Sequence, residues 1–251
     1  MTSGARSFFN RLIFRSMLFG CALIAIGMYR FSSDETAAWR FAKARARTLA
    51  RLLGVRVHVS GLEHLERFGD GPFVYTPNHQ SHFDIAALLG YLPGITCVAT
   101  KKELFAEPVL GLVLKTMGLI PVDRDDPAAA SELLEGVKAN RQSTVIFPEG
   151  TRSRDGRLLP FKKGAFVAAI DLQIPVVPVV CTGGASVMPK GKYLSIEPGD
   201  VELRILEPIS TEGMTYEDRG ALLATVRERI ASELGEERCA NLPGRSDSAA
   251  A

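Results

Sequence analysis

The chain has 251 residues, 46% hydrophobic and 23% charged, which suffices for one ample α/β core and does not require a second full domain. Its net charge of +2 conceals an asymmetry: residues 1–51 hold nine basic and two acidic side chains, or +7, leaving −5 for the remainder. So localised a basic charge argues against a nucleic-acid partner and suits an anionic membrane surface.

The four cysteines, Cys21, Cys97, Cys181 and Cys239, form no C-x-x-C pair. That speaks against a zinc site or a disulfide scaffold and fits a reducing, cytoplasmic setting.

From Ser16 to Tyr29 runs an uncharged, mostly apolar segment bounded by Arg6, Arg11 and Arg15 on one side and Arg30 on the other. Its 14 residues fall short of the roughly 20 that span a bilayer, and no small-x-small cleavage site follows it. Between Ala37 and Leu53, Trp39, Ala42, Ala46, Leu49 and Leu53 form one helical stripe, and Arg40, Lys43, Arg47 and Arg51 form its neighbour. The two segments together predict a re-entrant, membrane-associated helix pair over residues 1–53, touching the membrane surface through residues 8–53. Taken alone, the second helix would fit equally a place on the core with a solvated basic face.

After Gly54, VRVHVS alternates like an exposed edge strand and turns at Gly61. Phe73-Val74-Tyr75 then reads as a buried strand that ends in TPNHQSHFD, with two histidines and a carboxylate inside six residues. Asn78 or Ser81 is placed to cap a helix that continues through Ile85, Ala86, Leu88 and Leu89. Inside a regular helix, five residues at roughly 100° each would set His79 and Asp84 far apart around the axis. Contact between them therefore needs His79 outside the helix, at the cap. A carboxylate on one ring nitrogen would fix the tautomer and support a general base at the other. The same pair could serve only as a helix-start hydrogen bond, and His79, His82 and Asp84 form an H-x-x-H-x-D run that raises a metal-dependent hydrolase as an alternative.

Ile95 to Thr100 reads as the next strand, ending at Lys101-Lys102-Glu103-Leu104. Gly118 to Val122 leads into Asp123-Arg124, Ser131 to Asn140 is a short helix, and Thr144 to Phe147 empties into Pro148-Glu149-Gly150-Thr151-Arg152. Strands alternating with helices and emptying into polar clusters describe an α/β sheet whose ligand crevice lies beyond the strand ends. Gly150 would let backbone amides approach an anion, and Arg124 and Arg152 offer forked donors suited to phosphate. Each arginine would equally suit a surface ion pair with Asp123, Asp125 or Asp155. Ile174 to Val180 is a buried strand interrupted by Pro178, which suggests an edge or a bulge. Glu197 to Leu206 gives a late strand and Tyr216 to Leu234 a last helix. The α/β domain is predicted over 54–244 and a disordered tail over 245–251.

These blocks resemble those of the 1-acyl-sn-glycerol-3-phosphate acyltransferases, a family of glycerolipid acyltransferases. NHQSHFD is similar to the family's first block, GLIPVDR to its second, FPEGTRS to its third and VVPVV to its fourth, in the family order across about Asn78 to Val180. The resemblance implies a mixed, largely parallel sheet flanked by helices, with an N-terminal membrane-associated helix pair. It implies His79 and Asp84 as the catalytic pair, with Lys101, Arg124 and Arg152 holding the acceptor's phosphate while Glu149, Gly150 and Thr151 shape its site. The reaction implied moves a fatty acyl group from acyl-CoA or acyl-carrier protein to the sn-2 hydroxyl of 1-acyl-sn-glycerol 3-phosphate. No metal or bound cofactor is implied, and the expected place is the cytoplasmic face of the inner membrane. A lyso-ornithine lipid, another lysophospholipid or glycerol 3-phosphate stays open as acceptor.

Overall fold

A computed structural model of the chain describes residues 27, 35–107, 111–112, 114–115, 118–123, 129–140, 142–189 and 196–235. Of the apolar segment Ser16–Tyr29 only Gly27 is among them, and both Arg124 and the tail from 245 lie outside them.

The elements in order are α1 (Glu35–Leu52), β1 (Val55–Ser60), α2 (Leu62–Phe68), β2 (Val74–Pro77), α3 (His82–Tyr91) and β3 (Thr96–Lys101). A 3-10 turn (Lys102–Ala106) precedes β4 (Ile120–Val122), α4 (Ala129–Asn140), β5 (Ser143–Val145) and α5 (Gly164–Asp171). The chain continues with β6 (Val176–Thr182), α6 (Gly184–Val187), β7 (Gly199–Ile205) and α7 (Arg219–Leu234). The strands form one seven-stranded sheet in the order β1-β7-β6-β2-β5-β3-β4. Every neighbouring pair is parallel except β6 and β7. This is the mixed, largely parallel sheet that the family resemblance implied.

Strand periodicity sends successive side chains to opposite faces, and both faces are covered. Tyr75, Val177, Val179 and Cys181 join one buried cluster with Phe83 and Leu88 of α3. Val74, Val176 and Val180 join the other with Val137 of α4, Phe166 of α5 and Val226 of α7. Phe166 is wholly buried. Truncating such a side chain to alanine costs about 3–5 kcal/mol.

Strand β1 stands at the sheet edge, as its alternation predicted. Pro178 does not, because β6 runs between β2 and β7. The proline is accommodated by a register break. Val176 bridges Ile209 while Val179 pairs with Ile205, so three steps on β6 face four on the other side, and the Pro178 carbonyl accepts from Leu206 N–H at 3.0 Å. A bulge supplies what an edge position would have.

Helix α1 packs on α3 with Trp39 and Leu53 buried. Of its basic stripe, Arg40 and Arg51 are exposed, but Arg47 and Lys43 turn toward α3. Arg47 Nε donates to Gly90 O at 2.7 Å, and Lys43 Nζ donates to the carbonyls of Leu92 and Gly94. The basic stripe is thus divided: Arg47 takes a carbonyl in the last turn of α3, where no helical partner is available, and Lys43 takes two carbonyls just beyond the helix. Burial, helped by the charge of Arg47, lowers the Lys43 pKa from 10.5 to about 8. Among the described residues no helix is long and apolar enough to cross a membrane.

Candidate active site

The central strands β6, β2 and β5 are mutually parallel where they meet, so their carboxyl ends open on one edge of the sheet. At the end of β2, Asn78 acts as a side-chain rung: its Nδ2 donates to Cys181 O at 3.0 Å and its Oδ1 accepts from Cys181 N–H at 2.7 Å. The chain is thereby held to β6 just where β2 stops. The cap role open to Asn78 or Ser81 falls to Ser81.

Ser81 is extended, with φ −148°, and its Oγ accepts from Phe83 N–H at 3.2 Å. Asp84, three residues on, completes the capping box. Its Oδ2 accepts from Ser81 N–H at 2.7 Å, from Gln80 N–H at 2.8 Å and from His79 Nδ1 at 3.0 Å. His79 thus lies outside the regular helix and still reaches its carboxylate. Both side chains are buried, His79 4% exposed and Asp84 0%. An ionised carboxylate can only accept, so Nδ1 carries hydrogen and Nε2 is left as the basic nitrogen.

The loop after β5 closes on the same histidine. The ring of Phe147 stacks on the imidazole with centroids 3.9 Å apart and planes at 27°. Glu149 Oε1 accepts from His79 N–H at 2.8 Å, and its Oε2 accepts from Leu159 N–H at 3.2 Å. The His79 carbonyl in turn accepts from Ser153 N–H at 2.8 Å. Burial raises the Glu149 pKa from 4.5 to about 7, against the two backbone hydrogen bonds and with a contribution from the charge of Asp84. Gly150 turns the loop with φ +66°, a left-handed conformation in which other residues are strained. Thr151 is exposed and Arg152 half-buried. Partial burial lowers the Arg152 pKa and the charge of Asp84 opposes it, which sets the guanidinium within electrostatic reach of the histidine–aspartate pair.

Of the residues singled out in the sequence, His79, Asp84, Glu149, Gly150 and Arg152 therefore gather at one place. Glu149 shapes that place from behind, since both its oxygens bind backbone N–H groups. Lys101 ends β3, beyond β5, and pairs through Nζ with Glu103 Oε1 at 2.5 Å, both side chains well exposed. Among the described residues no group of three or more His, Cys, Asp and Glu side chains is arranged to hold a metal ion. The sequence reading missed the Asn78 rung and the Phe147 stack. The apolar residue before Pro148 looked like ordinary strand core, and only the sheet order brings it to His79.

The family model described as Acyltransferase matches residues 56–182, which contain the whole of this site. The chain is 29% identical over 255 residues to 1-acyl-sn-glycerol-3-phosphate acyltransferase alpha of Mus musculus, covering 97% of this chain and 89% of the relative. It is 35% identical over 237 residues to the 1-acyl-sn-glycerol-3-phosphate acyltransferase of Saccharomyces cerevisiae, covering 88% and 77%. The fold is similar to the crystal structure of the 1-acyl-sn-glycerophosphate (LPA) acyltransferase PlsC from Thermotoga maritima. There the TM-score is 0.75 at 27% identity, over 92% of this chain and 97% of that one. The chain belongs to the acyltransferase family, within the group of 1-acyl-sn-glycerol-3-phosphate acyltransferases, and is an enzyme of that class.

Proposed function

We propose that this enzyme transfers a fatty acyl group from an acyl thioester to the sn-2 hydroxyl of 1-acyl-sn-glycerol 3-phosphate, giving phosphatidic acid. The observation that carries the reading is the 3.0 Å contact of His79 Nδ1 with Asp84 Oδ2, which leaves Nε2 to accept a proton. The acceptor hydroxyl gives its proton to Nε2 as its oxygen attacks the thioester carbonyl. Collapse of the tetrahedral intermediate expels the thiolate, which takes the proton back from the imidazolium. No covalent acyl-enzyme is required.

Asp84 supports the imidazolium that forms in this step, as a buried carboxylate does in the serine-protease arrangement. Phe147 and Glu149 fix the ring and its backbone, so that the base does not have to be ordered during the reaction. Arg152, with Arg124 and Lys101, would bind the phosphate and hold the hydroxyl near Nε2. The thioester would be acyl-CoA or acyl-carrier protein. Attachment to the cytoplasmic face of the inner membrane through residues 8–53 would place the site beside a membrane-borne substrate.

The test is transfer of a labelled acyl group from each thioester to 1-acyl-sn-glycerol 3-phosphate, with wild type and His79→Ala. Phosphatidic acid from wild type and a loss of at least about a hundredfold in the variant are expected. Absence of product with both donors would reject the acceptor, and an undiminished variant would reject the base.

A further inference from the structure

Behind Asp84 stands the segment that follows β6. A Cβ placed on Gly184 would lie 2.2 Å from Asp84 Oδ1, 3.4 Å from Asp84 Cγ and 3.1 Å from Ser81 Cβ. The first distance is far inside contact for carbon and oxygen. Gly184 opens α6 and is not among the glycines with positive φ. Its own backbone conformation therefore does not call for glycine, and the space taken by Asp84 does.

The carboxylate is held unevenly. Oδ2 accepts three hydrogen bonds, whereas Oδ1 is buried and has no hydrogen-bond donor among the described residues. Oδ1 occupies the space that a side chain at residue 184 would need. The segment behind it is fastened to the histidine loop on both sides of Gly184, by the Asn78–Cys181 pair of bonds and by Ser81 Oγ donating to Met188 O at 2.8 Å. With that segment tied down, a methyl group at 184 would displace the Asp84 carboxylate most and press on Ser81 Cβ by only a few tenths of an ångström.

We propose that Gly184 is a positioning residue: its missing side chain is the space in which the Asp84 carboxylate holds its orientation toward His79 Nδ1. The proposal deepens the acyl-transfer reading and rests on it for its catalytic consequence. Gly183 beside it is different in kind. It has φ +80°, and a Cβ there would lie 2.0 Å from the backbone oxygen of Asp200, so its requirement is structural and independent of Asp84.

The test is a cycle of Gly184→Ala and Asp84→Ala, read in the full-length enzyme by kinetics and by melting temperature. Gly184→Ala is expected to lower kcat at least about tenfold, because a displacement near 1 Å is costly at a catalytic group. The KM values for acceptor and thioester should stay within about threefold, since no substrate-binding group is altered. In the Asp84→Ala background the same change should cost less than about twofold in kcat and clearly less in melting temperature than it does with Asp84 present, because the shortened side chain removes the tighter of the two contacts. Gly183→Ala should lower the melting temperature equally in both backgrounds. Full kcat in Gly184→Ala, or an equal loss of melting temperature with and without the Asp84 carboxylate, would overturn the proposal. If Gly184→Ala accumulates poorly, recovery of folded protein in the double variant supports the coupling, and no recovery overturns it. Should wild type transfer no acyl group to any acceptor, the acyl-transfer reading falls, while the melting-temperature cycle still decides whether the two residues are coupled.

Discussion

The two ends of helix α3 both meet charge, and they use it differently. At the N-terminal end an acidic side chain, Asp84, gathers two backbone N–H groups and the His79 ring onto one oxygen. At the C-terminal end the cations of α1, Arg47 and Lys43, take the carbonyls of Gly90, Leu92 and Gly94. Each sign suits the helix dipole and the unpaired groups at its end. The first arrangement orients an imidazole, the group that the proposed reaction would use as its base, whereas the second ties α1 to the domain through Gly90, Leu92 and Gly94. Matching a helix end with charge is therefore a structural device, and what sets the N-terminal end apart is the imidazole among its partners.

The sharpest test of this contrast is Asp84→Asn, in which the amide keeps the shape but loses the charge and the capacity to accept on both atoms. We expect kcat to fall roughly 10²- to 10⁴-fold, as for an orienting carboxylate, measured as initial rates of acyl transfer. Arg47→Met at the other end should leave kcat within about twofold, because that end touches no reacting group. An equal loss of kcat in both variants would end the distinction.

A second carboxylate beside His79, Glu149, sharpens the contrast through pH. Its folded pKa of about 7 lies above the unfolded value of 4.5, so the folded state holds the extra proton between them. The associated stability is full below pH 4.5 and is lost as pH rises through 7, a difference on the order of 3 kcal/mol. Urea denaturation from pH 4.5 to 8 should show this decline in wild type and a flatter profile in Glu149→Gln.

At the docking end the expected effects are on stability. Arg47→Met should cost about 1.5–3 kcal/mol, the range for a hydrogen bond from a charged group, read by thermal or urea denaturation. Lys43→Met should cost less, near 1 kcal/mol, because burial already disfavours its charged form. The smallest effect belongs to Gly90→Ala. A Cβ there would meet Ala46 Cβ at 3.4 Å, an ordinary contact, and the change in melting should correspond to less than about 1 kcal/mol. Set against Gly184, it compares a glycine with room beside it and a glycine whose room is filled by the Asp84 carboxylate.

Much of the N-terminal end of α3 was legible because its contacts are local. Ser81 and Asp84 lie three residues apart at a helix start, and their side chains bind the first free N–H groups in any context. The requirement that His79 stand outside the helix followed from helical geometry alone. The C-terminal end of α3 was illegible for the opposite reason. Lys43 and Arg47 bond to carbonyls 43 to 51 residues away, and a basic stripe at helical spacing reads the same whether it faces headgroups, water or another helix. Pro178 shows a similar limit: its lack of an N–H predicts a break in a ladder, but whether an edge or a bulge provides the break depends on where Leu206 to Ile209 run.

The sequence by itself thus determined that β2 empties into a helix start capped by Asn78 or Ser81, and that His79 must stand outside that helix to meet Asp84, both of which depend on a few neighbouring residues and on backbone groups that every helix start leaves unpaired. The tertiary structure decided what surrounds that pair. Phe147 against the ring, Glu149 on its backbone, Asn78 bonded to Cys181 and Gly184 behind the carboxylate come from strands adjacent in the sheet and distant in the chain. Sheet order sets those contacts, and sheet order is a property of how the helices cover both faces, which no local pattern encodes.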